Sequence, residues 1–285
     1  MLSSAAARQQ IFDALAPFPT EQIDLDAARG RVLRQSVHAE RDQPPFDRVT
    51  MDGIAVNSKA LDSGSQRFSI CGTQHAGDPV QRLEDGDGCI EVMTGSVLPE
   101  GTDTVIPVER INVANSCATL EADYAPDHGQ FVHRQGSDHK ANTEVLSPGH
   151  HIAGIDIAVL ASCGLSTVEV ARAPTVRVIS TGNELVPAGS AINAQQIRLS
   201  NAPAIVAMLA EQALTDARAD HLPDRRDVLE TRIADHLNEA DVLILSGGVS
   251  MGKADFVPGV LADLGVERVF HKIAQRPGKP MWFGI

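Results

Sequence analysis

The chain has 285 residues, and at about 100–200 residues per domain this length predicts two or three domains. Its formal net charge is −13, which argues against a nucleic-acid partner, because binding to a phosphate backbone needs clustered Lys and Arg. The N-terminus lacks a basic segment followed by an apolar one, and the chain has no run of about 18 apolar residues. We therefore predict a cytoplasmic protein with no signal peptide and no membrane partner.

Four cysteines, Cys71, Cys89, Cys117 and Cys163, lie far apart in the sequence. They form no C-x-x-C pair, and their spacing fits neither a zinc site nor a disulfide framework. We expect buried, inert thiols in a reducing compartment.

Two stretches of the chain have helical features. Residues 1–44 contain a predicted short helix at the start and a second helix over residues 26–33, before a proline pair that ends at Pro45. Helical spacing returns over residues 137–173, where Gly164 is a candidate C-cap.

Residues 45–136 have a different pattern. Short alternating runs at 67–71, 88–93, 103–108 and 117–122 are separated by Gly, Pro, Asp and Asn. Strands at such short intervals predict a β-rich domain.

Residues 174–285 predict an α/β domain with a mostly parallel sheet. Continuous apolar runs at 175–180 and 241–245 are typical of parallel strands that helices cover on both faces. The other predicted elements are helices over 202–214, 227–239 and 256–264 and a strand over 266–273. Ligands of such sheets bind at the carboxyl ends of the strands.

One of these strands runs into a glycine-rich loop, Ser246-Gly247-Gly248-Val249-Ser250-Met251-Gly252. Its glycines let backbone N–H groups approach an anion, and the start of the following helix favours negative charge. The alternative is a tight turn from strand to helix, which needs about one glycine rather than three. We interpret the loop as a binding site for a phosphorylated small molecule.

Two further loops carry carboxylates beside predicted strand ends. Glu184, in the loop that begins with Thr181 and Gly182, can accept hydrogen bonds from a heterocycle or help to hold a cation. It can equally stabilise the start of a helix. Asp224 also lies in a loop beside a predicted strand end and is a candidate of the same kind. A solvated helix cap explains this residue equally well.

A basic segment and a linker supply the remaining candidates. Lys272, Arg276 and Lys279 leave a strand through a Pro-Gly turn, where they are placed for a phosphate or an oxyanion, unless they form a solvated charged face. Asp47 and Asp52 lie in a linker-like stretch, where charged residues are usually only solvated.

Six segments occur together in this order: Phe46-Asp47 with Met51-Asp52-Gly53, Met93-Thr94-Gly95, Gly136-Ser137-Asp138, residues 180–185, residues 246–255, and Pro277-Gly278-Lys279-Pro280. Each is a weak signal alone. Together they resemble the molybdopterin molybdenumtransferases, a family whose animal relatives include the C-terminal domain of gephyrin. The resemblance covers nearly the whole chain.

The resemblance implies molybdenum cofactor biosynthesis, in which molybdate is inserted into adenylyl-molybdopterin and AMP is released. The cofactor would be Mg²⁺, and the substrates adenylylated molybdopterin and molybdate. The implied domains are a discontinuous helical domain of residues 1–44 and 137–173, a β-rich domain of residues 45–136, and a three-layer α/β molybdopterin-binding domain of residues 174–285. The helical domain would form a homodimer with an active cleft shared between subunits, and transient contact with other cofactor-biosynthesis proteins is expected.

The resemblance also assigns the site residues. Catalytic roles fall on Asp52, Asp138, Glu184, Asp224, Asp255, Lys272 and Arg276, and metal binding on Glu184, Asp224 and Asp255. Cofactor binding falls on Thr94, Thr181, Gly182, Ser246, Gly247, Gly248, Ser250 and Lys279. The sequence departs from the family pattern at Ile54, Asn183 and Arg276, where an aromatic residue, aspartate and lysine are common.

The last residues, 281–285, are apolar and predict the opening of another strand. Family members continue beyond this point, so we expect a truncated chain, the alternative being a short protein whose last strand closes the sheet. The alternative function is a molybdopterin-binding or scaffold module without turnover. A third is adenylyl transfer to molybdopterin, against which the long segment upstream of the α/β domain argues.

Overall fold

The computed structural model describes residues 1–248 and 256–285. The chain forms two compact units. We call them the α/β unit, of Met1–Gln35, Pro148–Ile157 and Ser166–Ile285, and the β unit, of Ser36–Ser147 and Ala158–Leu165. The division into three domains stays a prediction.

The elements follow one another in a mixed α/β order. The helices are α1 Ser4–Ala14, α2 Ser58–Asp62, α3 Gly154–Ser162, α4 Asn201–Glu211, α5 Arg226–Glu239 and α6 Val257–Asp263, with 3-10 turns at Leu25–Ala27 and Val108–Arg110. The strands are β1 Thr20–Asp24, β2 Val37–His38, β3 Arg48–Val49, β4 Gly53–Val56, β5 Arg67–Gln74, β6 Cys89–Val92, β7 Thr104–Pro107, β8 Ile111–Ala114, β9 Cys117–Leu120, β10 Val132–His133, β11 Glu144–Leu146, β12 Thr167–Ala171, β13 Val176–Thr181, β14 Leu185–Val186, β15 Ile197–Arg198, β16 Arg218–Leu222, β17 Val242–Ser246, β18 Arg268–His271 and β19 Trp282–Gly284. Within the described ranges, no helix is long and apolar enough to cross a membrane.

A three-stranded parallel sheet forms the centre of the α/β unit. Strand β13 lies between β16 and β17, and Ser180 stands opposite both His221 and Ser246. On one face, Val178 packs with α4. On the other face, Ile179 packs with α5 and α6. Alternate residues of β13 thus point into two apolar layers, which explains why consecutive residues, Val178 and Ile179, are both apolar and buried.

The mixed α/β class and the elements predicted at 175–180, 241–245, 227–239 and 256–264 are confirmed, within a residue or two at each end. Strand β16 was not predicted, because its sequence Arg-Ala-Asp-His-Leu has no apolar run and β16 lies at the edge of the sheet. The strand predicted over 266–273 forms as β18. It pairs antiparallel with β19, however, instead of extending the parallel sheet.

The helix predicted over residues 26–33 is wrong. A 3-10 turn covers Leu25–Ala27, and Gly30 then turns the chain with φ +80°. Leu33 is fully buried, and its N–H donates to the carbonyl of His150 at 2.8 Å. Pairing with a distant segment replaces the local hydrogen bonds of a helix.

The stretches expected to be helical, 1–44 and 137–173, also contain strands. Strand β1 pairs antiparallel with β12 over five residues, and β2 pairs with β11. Helix α1 packs its side chains Ala7 and Ile11 against Phe270 and Phe283 of the β18–β19 hairpin.

A bidentate ion pair joins β12 to the parallel sheet. The Arg172 guanidinium donates to both carboxylate oxygens of Asp241, at 2.9 and 2.8 Å, and the backbone N–H of Thr175 donates to the same carboxylate at 2.8 Å. The hydrogen bonds from Arg172 lower the pKa of Asp241. One carboxylate thereby ties the end of β12, the start of β13 and the start of β17 together.

The β unit is built on a six-stranded sheet in the order β7-β4-β6-β5-β9-β8. Its strands are antiparallel except for β5 and β6. Ile54 and Phe68 belong to one buried cluster, and Ala55 and Ile90 to another. Strands β3 and β10 form a separate antiparallel pair.

All four cysteines are free thiols, as predicted, and Cys89 and Cys163 are buried. Burial raises the pKa of Cys89 to about 12, which keeps this thiol protonated and inert. Cys71 is exposed, contrary to the prediction of buried thiols. Side chains alternate along β5, and Cys71 lies on the face opposite Phe68.

Replacement of Ile233 by Ala tests the α5 layer of the α/β unit. Ile233 is fully buried, so Ile233→Ala should lower the free energy of unfolding by about 2–5 kcal/mol. Leu237→Ala on the same helix is the matched control, because Leu237 is 36% exposed. Trp282, the single tryptophan, packs against this core, so urea unfolding followed by its fluorescence reports the change. Equal losses in the two variants would contradict this packing.

Candidate functional site

The carboxyl ends of the three parallel strands meet at one edge of the sheet in the α/β unit. Thr181 ends β13, Leu222 ends β16 and Ser246 ends β17. Because the three strands are parallel and in register, the loops that follow them emerge side by side. These loops carry most of the site residues proposed from the sequence for this unit.

Hydrogen bonds join the loops after β13 and β16. The N–H of Gly182 donates to the Leu222 carbonyl at 3.3 Å, and Nε2 of His221 donates to the Gly182 carbonyl at 2.8 Å. The N–H of Asp224 donates to Oδ1 of Asn183 at 3.2 Å. The segments that carry the two predicted metal ligands of the described chain are therefore held next to each other.

Gly182 lies in direct contact with the Glu184 carboxylate. A Cβ at Gly182, whose φ is +148°, would lie 2.7 Å from Oε2 of Glu184. A backbone φ of +148° is a conformation that L side chains rarely adopt, so this position favours glycine, and the carboxylate of Glu184 folds back over it.

The glycine pair after β17 approaches Thr181 in a similar way. A Cβ at Gly247 or Gly248 would lie 2.8 or 2.9 Å from Oγ1 of Thr181, and both glycines have positive φ. Thr181 is 4% exposed, and its Oγ1 has no hydrogen-bond partner among the residues that the structure describes. Oγ1 of Thr181 is therefore packed against the glycine pair, and a buried polar atom without a partner in the described ranges calls for an explanation such as a ligand. Two proposed site residues, Ser250 and Asp255, lie outside the described ranges.

A small cavity of about 120 Å³ opens beside these strand ends. Ser180 and Ser246 form its floor, and Oγ of Ser246 accepts a hydrogen bond from Nδ2 of Asn201 at 2.9 Å. Leu185 and Ile197 add apolar walls. Apolar walls with a few convergent polar groups are typical of a small-molecule site.

The residues proposed to bind Mg²⁺ have the type of ligand atom that this ion prefers, but few of them lie together in the described part of the chain. Glu184 and Asp224 offer the carboxylate oxygens that Mg²⁺ prefers, and their loops are joined. Over residues 1–248 and 256–285, no group of three His, Cys, Asp or Glu side chains is arranged to hold a metal ion. Mg²⁺ commonly binds one or two protein carboxylates together with waters and substrate phosphates, and these two carboxylates are of that kind.

The predicted basic residues lie in the connection between β18 and β19. Lys272 is half-buried with φ +75°, and its N–H donates to the Met281 carbonyl at 2.8 Å. Arg276 and Lys279 are exposed, and neither takes part in the hydrogen bonds that join the β13, β16 and β17 loops.

In the β unit, two proposed site residues meet directly. The N–H and the hydroxyl of Thr94 both donate to Oδ1 of Asp52, each at 2.6 Å. Both hydrogen bonds lower the pKa of Asp52, and the one from the hydroxyl has the larger effect. An ionised, exposed carboxylate is thus fixed at the start of β4. Sequence reasoning had given this linker residue no role apart from the family resemblance.

Asp138 is held by residues that the sequence did not single out. Oδ1 of Asp138 accepts from Nε2 of His133 at 3.0 Å, and Nδ1 of His133 accepts from the Arg48 guanidinium at 3.0 Å. Nearby, Asp47 accepts from the Arg134 guanidinium at 2.7 Å and from the N–H of Gln135 at 2.8 Å. The only sequence signal for these contacts was the density of polar residues around Gly136.

His221 and Asn201 were also missed as parts of the site. His221 follows an acidic residue in a polar strand, and Asn201 begins α4, a position at which a structural cap is the usual reading. Their contacts with Gly182 and Ser246 depend on how the strands pair, and the sequence of one segment alone does not reveal that pairing.

Comparisons with known proteins show to which proteins this chain is similar. The profile of the MoeA N-terminal region (domain I and II) matches residues 2–164, and that of a probable molybdopterin binding domain matches residues 177–285. A molybdopterin molybdenumtransferase of Synechocystis sp. is 38% identical over the whole chain, which spans 73% of that protein, and one of Haemophilus influenzae is 35% identical, with 70% spanned. The crystal structure of a molybdopterin biosynthesis MoeA protein from Pyrococcus horikosii superimposes with a TM-score of 0.78 at 28% identity. The match includes all of this chain and 72% of the Pyrococcus chain.

A Thr181→Val substitution tests the unpartnered hydroxyl. Because Oγ1 forms no described hydrogen bond, its removal should change the free energy of unfolding by less than about 0.5 kcal/mol. Thr104→Val is the matched control, since the buried Thr104 hydroxyl donates to Asp103 and accepts from the N–H of Gly129. The control should lose about 1–3 kcal/mol in calorimetric unfolding. A comparable loss in Thr181→Val would mean that its hydroxyl already has a partner.

A Thr94→Val substitution tests the contact with Asp52. Loss of the hydroxyl should raise the pKa of Asp52 toward its ordinary value, as measured by carbon NMR of the carboxyl. Since the folded-state pKa is depressed, the associated stabilisation is present above the ordinary Asp value and is lost as the pH falls through the folded pKa. Thr119→Val on β9 should leave the Asp52 titration unchanged. An unchanged titration in Thr94→Val would refute the contact.

Proposed function

This chain belongs to the molybdopterin molybdenumtransferase family, and we propose that it inserts molybdate into adenylyl-molybdopterin with release of AMP. The observation that carries the proposal is the strand-end site of the α/β unit. There the hydroxyl of Thr181, which has no hydrogen-bond partner within residues 1–248 and 256–285, faces Gly247 and Gly248 in the region that matches a molybdopterin-binding domain. Such a loop accepts a phosphate with backbone N–H groups and one hydroxyl donor.

The reaction cleaves a phosphoanhydride bond, so negative charge must be neutralised on the phosphoryl oxygens. Glu184 and Asp224, with Asp255 as the third acidic residue, would hold Mg²⁺, which supplies that neutralisation when bound. Gly182 and His221 keep the Glu184 loop in place for this role. AMP leaves with its phosphate, and the chain needs no covalent nucleophile.

Molybdate is a substrate oxyanion, and cations suit its recognition. Lys272, Arg276 and Lys279 are proposed to provide them from the β18–β19 connection. Ser246, Ser250 and the neighbouring glycines are proposed to contact the pterin phosphate. The cavity beside Ser180 suits the uncharged part of the substrate.

The β unit is proposed to complete the cleft with Asp52, Thr94 and Asp138. In the proposed homodimer these three residues would serve the site of the other subunit. The pairing of Thr94 with Asp52 supports a common role for these two. A cytoplasmic location, and transient contact with other cofactor-biosynthesis proteins, belong to the same proposal.

The experiment is incubation of the purified chain with adenylyl-molybdopterin, molybdate and Mg²⁺, with AMP measured by chromatography. Glu184→Gln should reduce AMP release by at least about tenfold, since the loss of a metal-orienting group costs about 10–100-fold. Glu211→Gln, at the exposed end of α4, is the control and should have no effect.

Other outcomes discriminate between functions. Binding of molybdopterin without AMP release would reject the transferase and leave a binding or scaffold module. Formation of adenylyl-molybdopterin from ATP would instead indicate adenylyl transfer.

A further inference from the structure

The β unit contains a chain of three polar side chains that ends on Asp138. We infer that Arg48 and His133 are positioning residues that orient the Asp138 carboxylate. This inference rests on the proposed function for its effect on the reaction. The hydrogen-bond chain itself stands on the geometry of the β unit.

The direction of each hydrogen bond follows from the chemistry of arginine. A guanidinium carries only donors, so Nδ1 of His133, 3.0 Å from Nη2 of Arg48, must accept. The ring proton of a neutral histidine then lies on Nε2, which donates to Oδ1 of Asp138 at 3.0 Å. Arg48 therefore selects one tautomer of His133, and that tautomer is the one that can hold Asp138.

The backbone places the three residues for this role. Arg48 and His133 stand directly opposite each other in the β3–β10 pair, so their side chains are cross-strand neighbours. The N–H of Asp138 donates to the Gln43 carbonyl at 2.9 Å, and that of Gly136 to the Pro44 carbonyl at 2.9 Å. The segment that carries Asp138 is thus attached to the segment that leads into β3.

The exposure of these side chains indicates that the Arg48–His133–Asp138 hydrogen bonds orient the carboxylate and add little to the stability of the fold. The side chain of Asp138 is 53% exposed and that of His133 is 31% exposed. Exposed pairs of this kind contribute little to the stability of the fold. An exposed carboxylate with one oxygen fixed is accessible to a ligand and loses little rotational freedom when it binds one.

The first test is nitrogen NMR of the histidine rings at neutral pH. His133 should show a neutral ring with its proton on Nε2. Arg48→Met, which keeps the aliphatic stem and removes the donors, should put a proton on Nδ1 in part or all of the protein, and Arg48→Lys should restore the original signal. His128, whose Nε2 lies 3.0 Å from Asp62, is the internal control and should be unchanged.

The second test is a double-mutant cycle in the AMP-release assay. Arg48→Met and His133→Phe should each lower kcat/KM by about fivefold or more, and neither should lower it further in an Asp138→Asn background. His133→Gln should rescue, because its amide offers an acceptor and a donor in place of the two ring nitrogens. His128→Phe should retain full activity.

Two results would overturn the inference: a His133 proton on Nδ1 in the unaltered protein, or losses that add to that of Asp138→Asn. Failure of the proposed function looks different. In that case Asp138→Asn would leave AMP release unchanged, or the unaltered protein would release none, while the NMR signals of His133 still respond to Arg48→Met.

Discussion

Parallel pairing on both sides of β13 is the constraint on which the candidate site depends. Since β16 and β17 run in the same direction as β13, all three strands end at one edge, and their loops cannot avoid one another. The close packing that results requires glycine at 247, where a Cβ would lie 2.5 Å from the carbonyl oxygen of Thr181. The glycine at 247 thus follows from the pairing of β17 with β13.

The two units prepare their polar groups by different means. At the strand ends of the α/β unit, the backbone is prominent: carbonyls and N–H groups join the loops, and glycines expose peptide groups. In the β unit, side chains hold side chains, as Thr94 holds Asp52 and His133 holds Asp138. Backbone donors suit a phosphate that is bound in one orientation, whereas oriented carboxylates suit a cation or a proton.

Much of the fold could be predicted from local pattern. Strands β13 and β17 have short runs of consecutive apolar residues, and α5 has helical spacing, so each element can be recognised from its local pattern. Strand β16 escaped prediction because an edge strand need not be apolar, and the helix over residues 26–33 failed because Leu33 is buried by a partner more than a hundred residues away in the chain. Pattern carries no information about distant partners.

The residues of the candidate site likewise fall into those that the local sequence predicts and those that depend on distant partners. Gly247, Gly248 and Glu184 could be proposed from sequence, since a glycine-rich loop after a strand has a local meaning. The contacts of His221, Asn201, Arg48 and His133 could not, because each depends on strand register or on pairing across the sheet. Asp52 and Asp138 were named only through family resemblance.

The carboxylate of Asp241 has a mechanical consequence. It receives three hydrogen bonds, two from Arg172 and one from Thr175, at the place where the chain passes from β12 into β13. The connection 172–175 has four residues, and this carboxylate holds both of its ends, so it ties the antiparallel β1–β12 pair to the parallel sheet at their junction.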